Sequence, residues 1–346
     1  MKKISGVTIA ILVACLMVGM VVFVPGNALA KKQNIKFVLV GATEGAQEGS
    51  VEAMSVNMYF GALDYRIRTY QALKGKYALK YVNTLFSDPN ECLTGVASGA
   101  AELTFSGPHY MEQLEPAWKA VESPGVFNSW GHFMRTMNTP VWKKVAANMA
   151  KEKGVTILKW MASAGDWYLY TNKGPVNSMA DLKGQKIRFA GGEGFSKALK
   201  AMGTTPISLP YTEVVTALQT NMIDGLLTDM FAAFYFYDLP RYTKYCVKHT
   251  WAIQPLCIVA SSQWWDGLPE KERTAIKDVF DRIETAPYFE NAQGAIAQGW
   301  AANPDLELIE LSAAENKTWE KTMKAAGSSA LEGLDPALIK AIEASK

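Results

Sequence analysis

The sequence of 346 residues predicts an α/β protein built from two lobes. Short apolar strands alternate with helices along most of the chain, which favours an α/β architecture with a mainly parallel core. The length exceeds that of one typical domain and indicates two. No internal repeat or low-complexity linker separates the two parts. Structured segments must therefore cross between them, as in a hinged two-lobed protein.

Strand signals recur along the first two thirds of the chain. The predicted strands are Lys36–Val40, Ala78–Val82, Glu102–Phe105, Val155–Trp160, Trp167–Thr171 and Lys186–Phe189. Gly41 ends the first strand, and Gly174-Pro175 breaks the chain after the fifth. Glycine and proline at these points mark turns, so each strand is expected to be short.

Helix signals lie between these strands. Ser87-Asp88-Pro89-Asn90-Glu91 supplies an N-cap followed by proline in the first turn, and this helix is expected to end near Ser98-Gly99. Ser178 caps the short turn Met179–Lys183, and Gly184 ends it. The helix and the turn are each followed by a predicted strand.

The last part of the sequence changes character. Leu268–Ala302 is predicted to be largely helical, and Leu306–Glu310 is predicted to be a strand. Ser312 with Glu315 then forms a capping box that predicts another helix.

The first 30 residues have the pattern of a secretory signal peptide. Lys2 and Lys3 form a positive region, Val7–Val24 is apolar, and Ala28-Leu29-Ala30 fits a small-residue cleavage site. Two alternatives stay open. The apolar run is long enough for an uncleaved anchor, and Leu12-Val13-Ala14-Cys15 resembles a lipobox with Cys15 as the lipid-bearing residue. All three predict export, and cleavage after Ala30 predicts a periplasmic protein.

The charge balance bears on the partners. Without Lys2 and Lys3, the 35 basic residues become 33, which equals the 33 acidic residues. A formally neutral chain argues against nucleic acid and anionic membrane surfaces as partners, because both attract a basic excess. No second apolar stretch in the sequence is long enough to cross a membrane.

Cysteine and histidine are sparse. After cleavage the cysteines are Cys92, Cys246 and Cys257, an odd number that cannot form a closed disulfide framework. A bond between Cys246 and Cys257 stays open, although three buried thiols are the favoured interpretation. The three histidines and the absence of CxxC or HExxH spacing predict no metal site and no cofactor.

Two stretches carry most of the functional signal. Asp181-Leu182-Lys183-Gly184-Gln185-Lys186-Ile187-Arg188 brings a guanidinium to the end of a short strand. The second stretch, from Pro210 to Asp224-Gly225, is a predicted helix that stops abruptly and is followed by a strand. Together they resemble the signature of the DctP-type solute-binding subunits of TRAP transporters, which capture small organic anions outside the cell membrane.

The resemblance extends over residues Asn34 to Phe280. Other stretches that are similar to the family are Leu93–Leu103, Glu115-Pro116, Glu122–Phe127, Lys153–Leu158 and Trp264–Pro269. The Asp-Leu-Lys-Gly-x-Lys-Ile-Arg and Ala-Leu-Gln…Asp-Gly stretches are specific mainly in combination.

The resemblance implies a two-lobed periplasmic-binding-protein-like fold, type II-like, with the ligand cleft between the lobes and a long C-terminal helix. It places lobe I at residues 34–165, with a return segment around 255–280, and lobe II at 166–254. Residues 281–346 are expected to pack across both lobes. The implied partners are a small organic acid and the integral-membrane TRAP subunits, with the protein itself a monomer.

Arg188 is the residue to which the resemblance gives a chemical role. In the family, the arginine at the end of Lys-Ile-Arg contacts the carboxylate of the substrate. A planar guanidinium can bind two oxygens at once, which lysine cannot do. Closure of the lobes removes water and strengthens such a charged hydrogen bond. The alternative is a surface arginine paired with an acidic helix residue.

Gly191-Gly192-Glu193-Gly194 follows the arginine strand. Glycines here would let backbone amides approach an anion at a helix N-terminus, although a plain packing turn fits equally well. The run is not a dinucleotide fingerprint, because Lys197 occupies the place of the third glycine. In the first lobe, Ser106 is expected at the edge of the cleft. His109 is expected there too, either as a donor to an anion or as a cap.

The sequence departs from the family at positions that bear on specificity. Many sialate- and dicarboxylate-type members of the family that this chain resembles carry a second arginine near the position of Trp167 and an amide side chain at the position of Thr228. This chain has neither group, which argues against a dicarboxylate or a large sugar acid as its ligand. An indole in the cleft suits a smaller or more apolar acid. Of the dense aromatics that follow, Phe231 and Trp251 are predicted to line the cleft, and the others are assigned to the core.

The predicted function is therefore capture of a small monocarboxylate or sulfonate, including acids that are aromatic or apolar on one side, for a TRAP transporter. A ligand-presenting sensor protein is one alternative. A secreted enzyme is another, although the sequence has no nucleophile elbow, no P-loop and no paired-carboxylate motif.

Overall fold

The structure is a computed structural model that describes residues 33–38, 63–82, 85–86, 88–162, 167–229, 232–233, 238–282 and 305–346. Its strands are β1 (Gln33–Val38), β2 (Tyr77–Val82), β3 (Leu103–Ser106), β4 (Val155–Ala162), β5 (Trp167–Thr171), β6 (Lys186–Phe189), β7 (Thr205–Ser208), β8 (Gly225–Asp229), β9 (Tyr245–Val247), β10 (Pro255–Ser261) and β11 (Glu307–Ile309).

Helices connect and cover these strands. They are α1 (Pro89–Ala97), α2 (Pro108–Met111), α3 (Trp130–Met137), α4 (Pro140–Lys153), α5 (Glu193–Ala201), α6 (Val214–Gln219), α7 (Ser262–Gly267), α8 (Glu270–Arg282), α9 (Ala313–Ala330) and α10 (Pro336–Ala344). Residues 63–69 are also helical. In the part of the chain that the structure describes, no helix is both long and apolar enough to span a bilayer.

The described strands form two sheets, one in each lobe. The first sheet has five strands in the order β2-β1-β3-β10-β4, and the second has six in the order β11-β9-β5-β8-β6-β7. β10 runs antiparallel to β3 and β4, and β5 runs antiparallel to β8 and β9. The mainly parallel core that the sequence predicts is therefore mixed, because the strands that follow the lobe crossings run against their neighbours.

The chain crosses between the sheets twice, and the two crossings lie beside each other. β4 ends at Ala162 before β5 begins, and β9 ends before β10 begins at Pro255. Ala162 and Pro255 are paired in the first sheet, and the Trp251 amide donates to the Trp167 carbonyl at 3.2 Å on the other side. Since the two crossings start next to each other in one sheet and end next to each other in the other, the carboxyl ends of the parallel strands in the two sheets face each other.

Each sheet buries side chains on both faces, as the alternation of strand residues requires. In the second sheet, Ile187, Leu169 and Leu227 join one hydrophobic cluster, whereas Tyr170 and Leu226 join another on the opposite face. The first sheet likewise lies between two clusters.

Several predicted element boundaries are confirmed. Trp167–Thr171 and Lys186–Phe189 are strands with the predicted bounds. The Asp88 side chain caps α1 by accepting hydrogen bonds from the backbone amides of Asn90 and Glu91. Ser178 forms a capping box with Asp181 at the start of the short turn. Ser312 accepts from the Glu315 amide at 3.2 Å at the start of α9.

Other elements lie beyond the sequence-based prediction. β7 contains Pro206, which argues against a strand except at a sheet edge, and β7 is one of the two edge strands of the second sheet. β10 is a short apolar run that periodicity cannot distinguish from a buried helix. The helix predicted over 268–302 is described from Glu270 to Arg282, and the rest lies outside the described residues.

The three cysteines of the described chain are free and buried, as favoured from the sequence. Cys246 belongs to the second sheet and Cys257 to the first. Burial raises the pKa of Cys92 and of Cys246 to about 12, so both thiols stay protonated at neutral pH. Within the described ranges, no cluster of three or more His, Cys, Asp or Glu side chains could hold a metal ion.

Candidate functional site

Arg188 is a buried cation near the edge where the sheets face each other. Its exposed fraction is 1%, and its Nε and Nη2 donate to the Leu209 carbonyl at 2.9 and 2.8 Å. Among the described residues, no acidic side chain lies within 4.0 Å of its guanidinium. The alternative of a surface arginine paired with a helix acid therefore does not match the structure. A buried cation without an anion is unfavourable, so the group is suited to bind one.

The Leu209 carbonyl sets the direction of the guanidinium. Ser208, the last residue of β7, is level with Phe189 at the end of β6, so Leu209 lies one residue beyond the strand ends. Its carbonyl accepts from Nε and from one Nη2 hydrogen. A guanidinium carries five N–H donors, which leaves three for a ligand. Arg188 is thus held in place before any ligand arrives.

Arg188 and Trp167 leave opposite faces of the second sheet. Arg188 is level with Leu226 on β8, and Thr228, two residues further on, shares that face. Trp167 is opposite Asp229 across the β5–β8 pair, so these two side chains share the other face. A ligand that touches both Arg188 and Trp167 must therefore lie over the end of the sheet.

His109 is fixed by Glu122. The Glu122 Oε2 accepts from the His109 backbone amide at 2.9 Å and lies 2.6 Å from His109 Nδ1, with both side chains buried. The imidazole also makes an edge-on contact with the Trp167 indole, with ring centroids 6.2 Å apart. The indole in turn packs on Phe195, with centroids 4.9 Å apart. His109 of the first lobe therefore contacts the aromatic pair formed by Phe195 and Trp167, the first residue of β5.

The turn at Gly191-Gly192 meets His109 across the cleft. Both glycines have positive φ, 143° and 97°, a conformation that L-residues with a side chain rarely adopt. A Cβ on Gly191 would lie 3.7 Å from the His109 carbonyl oxygen, and a Cβ on Gly192 would lie 3.6 Å from His109 Cβ. These are ordinary van der Waals distances, so the backbone conformation, and not a lack of room, requires glycine at both positions.

The two lobes touch along α5. A Cβ on Gly194 would lie 2.2 Å from Ser123 Oγ and 2.7 Å from Ser123 Cα. Lys119 Nζ donates to Glu193 Oε2 at 3.1 Å, and the Glu193 amide donates to Glu112 Oε2 at 3.4 Å. Contact between the lobes therefore depends on the absence of a side chain at Gly194.

The charges at this contact have different surroundings. Burial raises the pKa of Glu112, whose carboxylate faces the N-terminus of α5. The hydrogen bond from Lys197, followed by that from Lys119, lowers the pKa of Glu193. Lys119 and Lys197 also donate to the carbonyls of Glu332 and Ser329 near the end of α9, at 3.0 and 2.7 Å. The C-terminal helix is thereby tied to the same contact.

The remaining candidate residues have varied positions. Ser106 ends β3 and is buried, with its carbonyl accepting from Cys257 Sγ at 3.3 Å. Thr228 is buried next to the end of β8. Trp251 packs on Trp319 of α9, with centroids 5.9 Å apart, in the core of the second lobe. Trp251 shares this cluster with Trp167, and its amide donates to the Trp167 carbonyl, so the cleft position of Trp251 stays a prediction. Phe231 lies outside the described residues.

Three polar residues near the cleft were not assigned a role from the sequence. Glu122 orients His109, and it stands in the Glu-Ser-Pro-Gly-Val-Phe stretch that resembles the family. Asp229 accepts from Gln254 Nε2 at 3.1 Å. Asp229 directly follows Thr228 in the run that departs from the family pattern, which is the signal that could have found it. Gln254 carries no such signal, because only the crossing of the chain brings it to β8.

Comparison with known proteins gives a consistent picture. A family model described as bacterial extracellular solute-binding protein, family 7 (DctP), matches residues 51–332. The 2,3-diketo-L-gulonate-binding periplasmic protein of Escherichia coli is 25% identical over 240 residues, which cover 68% of this chain and 71% of the relative. The sialic acid-binding periplasmic protein of Vibrio cholerae is 24% identical over 248 residues, 70% of this chain and 73% of the relative.

Solved structures share the fold. The TRAP periplasmic solute-binding protein of Desulfovibrio salexigens with bound orotic acid has a TM-score of 0.78 at 17% identity, covering 91% of this chain and 98% of the other. The one from Shewanella oneidensis with bound succinate has a TM-score of 0.77 at 22% identity, covering 91% and 99%. The two-lobed architecture predicted from the sequence is therefore confirmed.

Proposed function

This chain belongs to the bacterial extracellular solute-binding proteins, family 7, which are the solute-binding components of TRAP transporters for organic acids. We propose that its ligand is a small monoanion. The monoanion is a carboxylate or a sulfonate, captured in the periplasm and passed to the integral-membrane subunits. Residues 1–30, the proposed signal peptide, lie outside the described residues.

The observation that carries this proposal is the environment of Arg188. It is buried, oriented by the Leu209 carbonyl and without an acidic partner among the described residues. A carboxylate or a sulfonate presents two oxygens to a guanidinium in a similar fork, so both satisfy the same donors. The family binds and releases solutes, and no residue in this role needs to perform a chemical step.

The first experiment is to identify what the folded protein retains. Mass spectrometry of small molecules that copurify with it should find an organic monoanion, and thermal-shift screening of organic acids and sulfonates should rank its analogues. Micromolar binding corresponds to about −8 kcal/mol, which raises the melting temperature measurably at millimolar ligand. A copurified compound that is converted by the protein would instead indicate an enzyme.

Ligand binding should make the protein more compact. The lobes face each other across two crossing segments, and closure over a ligand moves them as units. Small-angle X-ray scattering should therefore give a smaller radius of gyration with the copurified acid than without it. An unchanged profile at saturating ligand would point to a rigid pocket.

Monoanions should bind better than C4-dicarboxylates. One guanidinium, with nearby amides at a helix end, can offset one negative charge. A second buried carboxylate without a partner costs several kcal/mol. In competition titrations, small monocarboxylates or sulfonates should displace succinate and malate. A ranking with C4-dicarboxylates first would contradict the monoanion proposal and leave family membership untouched.

A further inference from the structure

Asp229 and Gln254 form a partly buried polar pair beside the second crossing segment. Asp229 is the last residue of β8 and is 6% exposed. Its Oδ1 accepts from the Ala232 amide at 2.9 Å, and its Oδ2 accepts from Gln254 Nε2 at 3.1 Å. An ionised carboxylate only accepts hydrogen bonds. It therefore holds the nitrogen end of the Gln254 amide and turns Oε1 away from itself.

Gln254 Oε1 is buried and has no hydrogen-bond partner among the described residues. The indole Nε1 of Trp167, which is a donor, is also buried and has no hydrogen-bond partner among the described residues. Because Trp167 and Asp229 are directly opposite on β5 and β8, their side chains leave the same face as close neighbours. The unsatisfied acceptor and the unsatisfied donor thus belong to two side chains that are both neighbours of Asp229, one by a hydrogen bond and one across the strand pair. Buried polar groups are normally paired, so a missing partner is expected here.

We propose that Gln254 Oε1 and Trp167 Nε1 recognise a hydroxyl group of the ligand, so that the ligand is a hydroxylated organic monoanion. A hydroxyl both donates and accepts, and it can donate to Oε1 and accept from Nε1. A carboxylate would bring its oxygens against Oε1, and an apolar group would leave both polar atoms unsatisfied. The inference rests on the proposed function, because it concerns the end of the ligand that Arg188 does not hold.

The position of the pair relative to Arg188 suits a small molecule. The guanidinium reaches the level of Leu209, one residue beyond the ends of β6 and β7, and β8 is the strand next to β6. With strands about 4.8 Å apart and about 3.3 Å per residue along them, Asp229 lies within roughly 10 Å of the guanidinium. A hydroxy acid of a few carbons spans that separation.

Matched pairs of probes that differ by one hydroxyl test the inference. Titration calorimetry would compare lactate with propanoate and mandelate with phenylacetate. The unmodified protein should bind the hydroxylated member at least about tenfold more tightly, since a site built for a hydroxyl discriminates strongly against its absence. Gln254→Met, which keeps the length and removes the acceptor, should reduce that ratio below about threefold.

Two further variants separate recognition from positioning. Trp167→Phe keeps a ring and removes the donor, so it should also reduce the ratio. In Asp229→Asn, the new side-chain amide can donate as well as accept, so the Gln254 amide is free to rotate by half a turn. This variant should therefore also reduce the affinity ratio. Gln71→Met, at an exposed glutamine, serves as the control and should leave the ratio unchanged. Using a ratio of two affinities cancels any general loss of folded protein.

The outcomes are distinct. A hydroxyl preference that survives in Gln254→Met would overturn the inference. Equal binding of both members of each pair by the unmodified protein would overturn it too, while the proposed monoanion function stands. If no monoanionic probe binds and only dianions do, the proposed function fails and the inference fails with it.

Discussion

Replacing Arg188 with alanine should abolish ligand binding while the protein still folds. The change removes the cation that faces the cleft, and truncating one partner of an enclosed charge pair costs ~2–5 kcal/mol. Arg188→Lys should also bind poorly, because an ammonium cannot reproduce the two-pronged contact and the bond to the Leu209 carbonyl at once. Titration calorimetry with the copurified acid measures both effects.

Arg241→Ala is the matched control for Arg188→Ala. The Arg241 side chain is 75% exposed and pairs with Asp238 three residues earlier, so its loss should leave affinity unchanged. Cooperative thermal unfolding of Arg188→Ala would show that its fold is retained. Wild-type affinity in a folded Arg188→Ala protein would remove Arg188 from the binding site.

Gly194→Ala should weaken ligand binding without lowering stability. The new methyl group would meet Ser123 at 2.2–2.7 Å, so the second lobe would have to move away from the first. Overpacking of this kind costs about 1–3 kcal/mol, or roughly 5- to 150-fold in affinity. Within α5 itself alanine favours the helix over glycine, so the melting temperature without ligand should not fall.

Scattering and a second glycine test the cause. With ligand, Gly194→Ala should keep a larger radius of gyration than the unmodified protein. Gly267→Ala, at the last residue of α7, places its methyl group where no heavy atom lies within 4 Å and should behave as wild type. Equal compaction of the Gly194→Ala protein and the unmodified protein would show that the contact with Ser123 does not limit closure.

Local signals in the sequence predicted the elements that depend on nearby residues. Asp88 and Ser312 cap the predicted helices, and β5 and β6 have their predicted bounds. These features rest on hydrogen bonds and turn preferences within a few residues, which a sequence displays directly. β7 and β10 could not be assigned in this way, because Pro206 argues against a strand and a short apolar run fits a buried helix as well; only their pairing with β6 and with β4 shows that they are strands.

The candidate site also combines features that local sequence predicted with features that depend on the register of distant strands. The motif that ends at Arg188 and the double glycine after it pointed to an anion site, because a planar cation and exposed amides are local chemistry. The sequence could not show that Arg188 and Trp167 leave opposite faces of the sheet, since that depends on the register of β5, β6 and β8. It also could not show that Trp251 packs on Trp319.

The sequence by itself determined the family, the two-lobed α/β class and the arginine for which we propose the ligand contact, because these follow from residue types at fixed spacing. Only the tertiary structure decided which polar groups pair with one another near the lobe crossing. Glu122 reaches His109, and Gln254 reaches Asp229 across 25 residues of chain, because folding brings them together at the lobe crossing. The partner of a buried polar atom is set by three-dimensional proximity, which spacing along the chain does not encode.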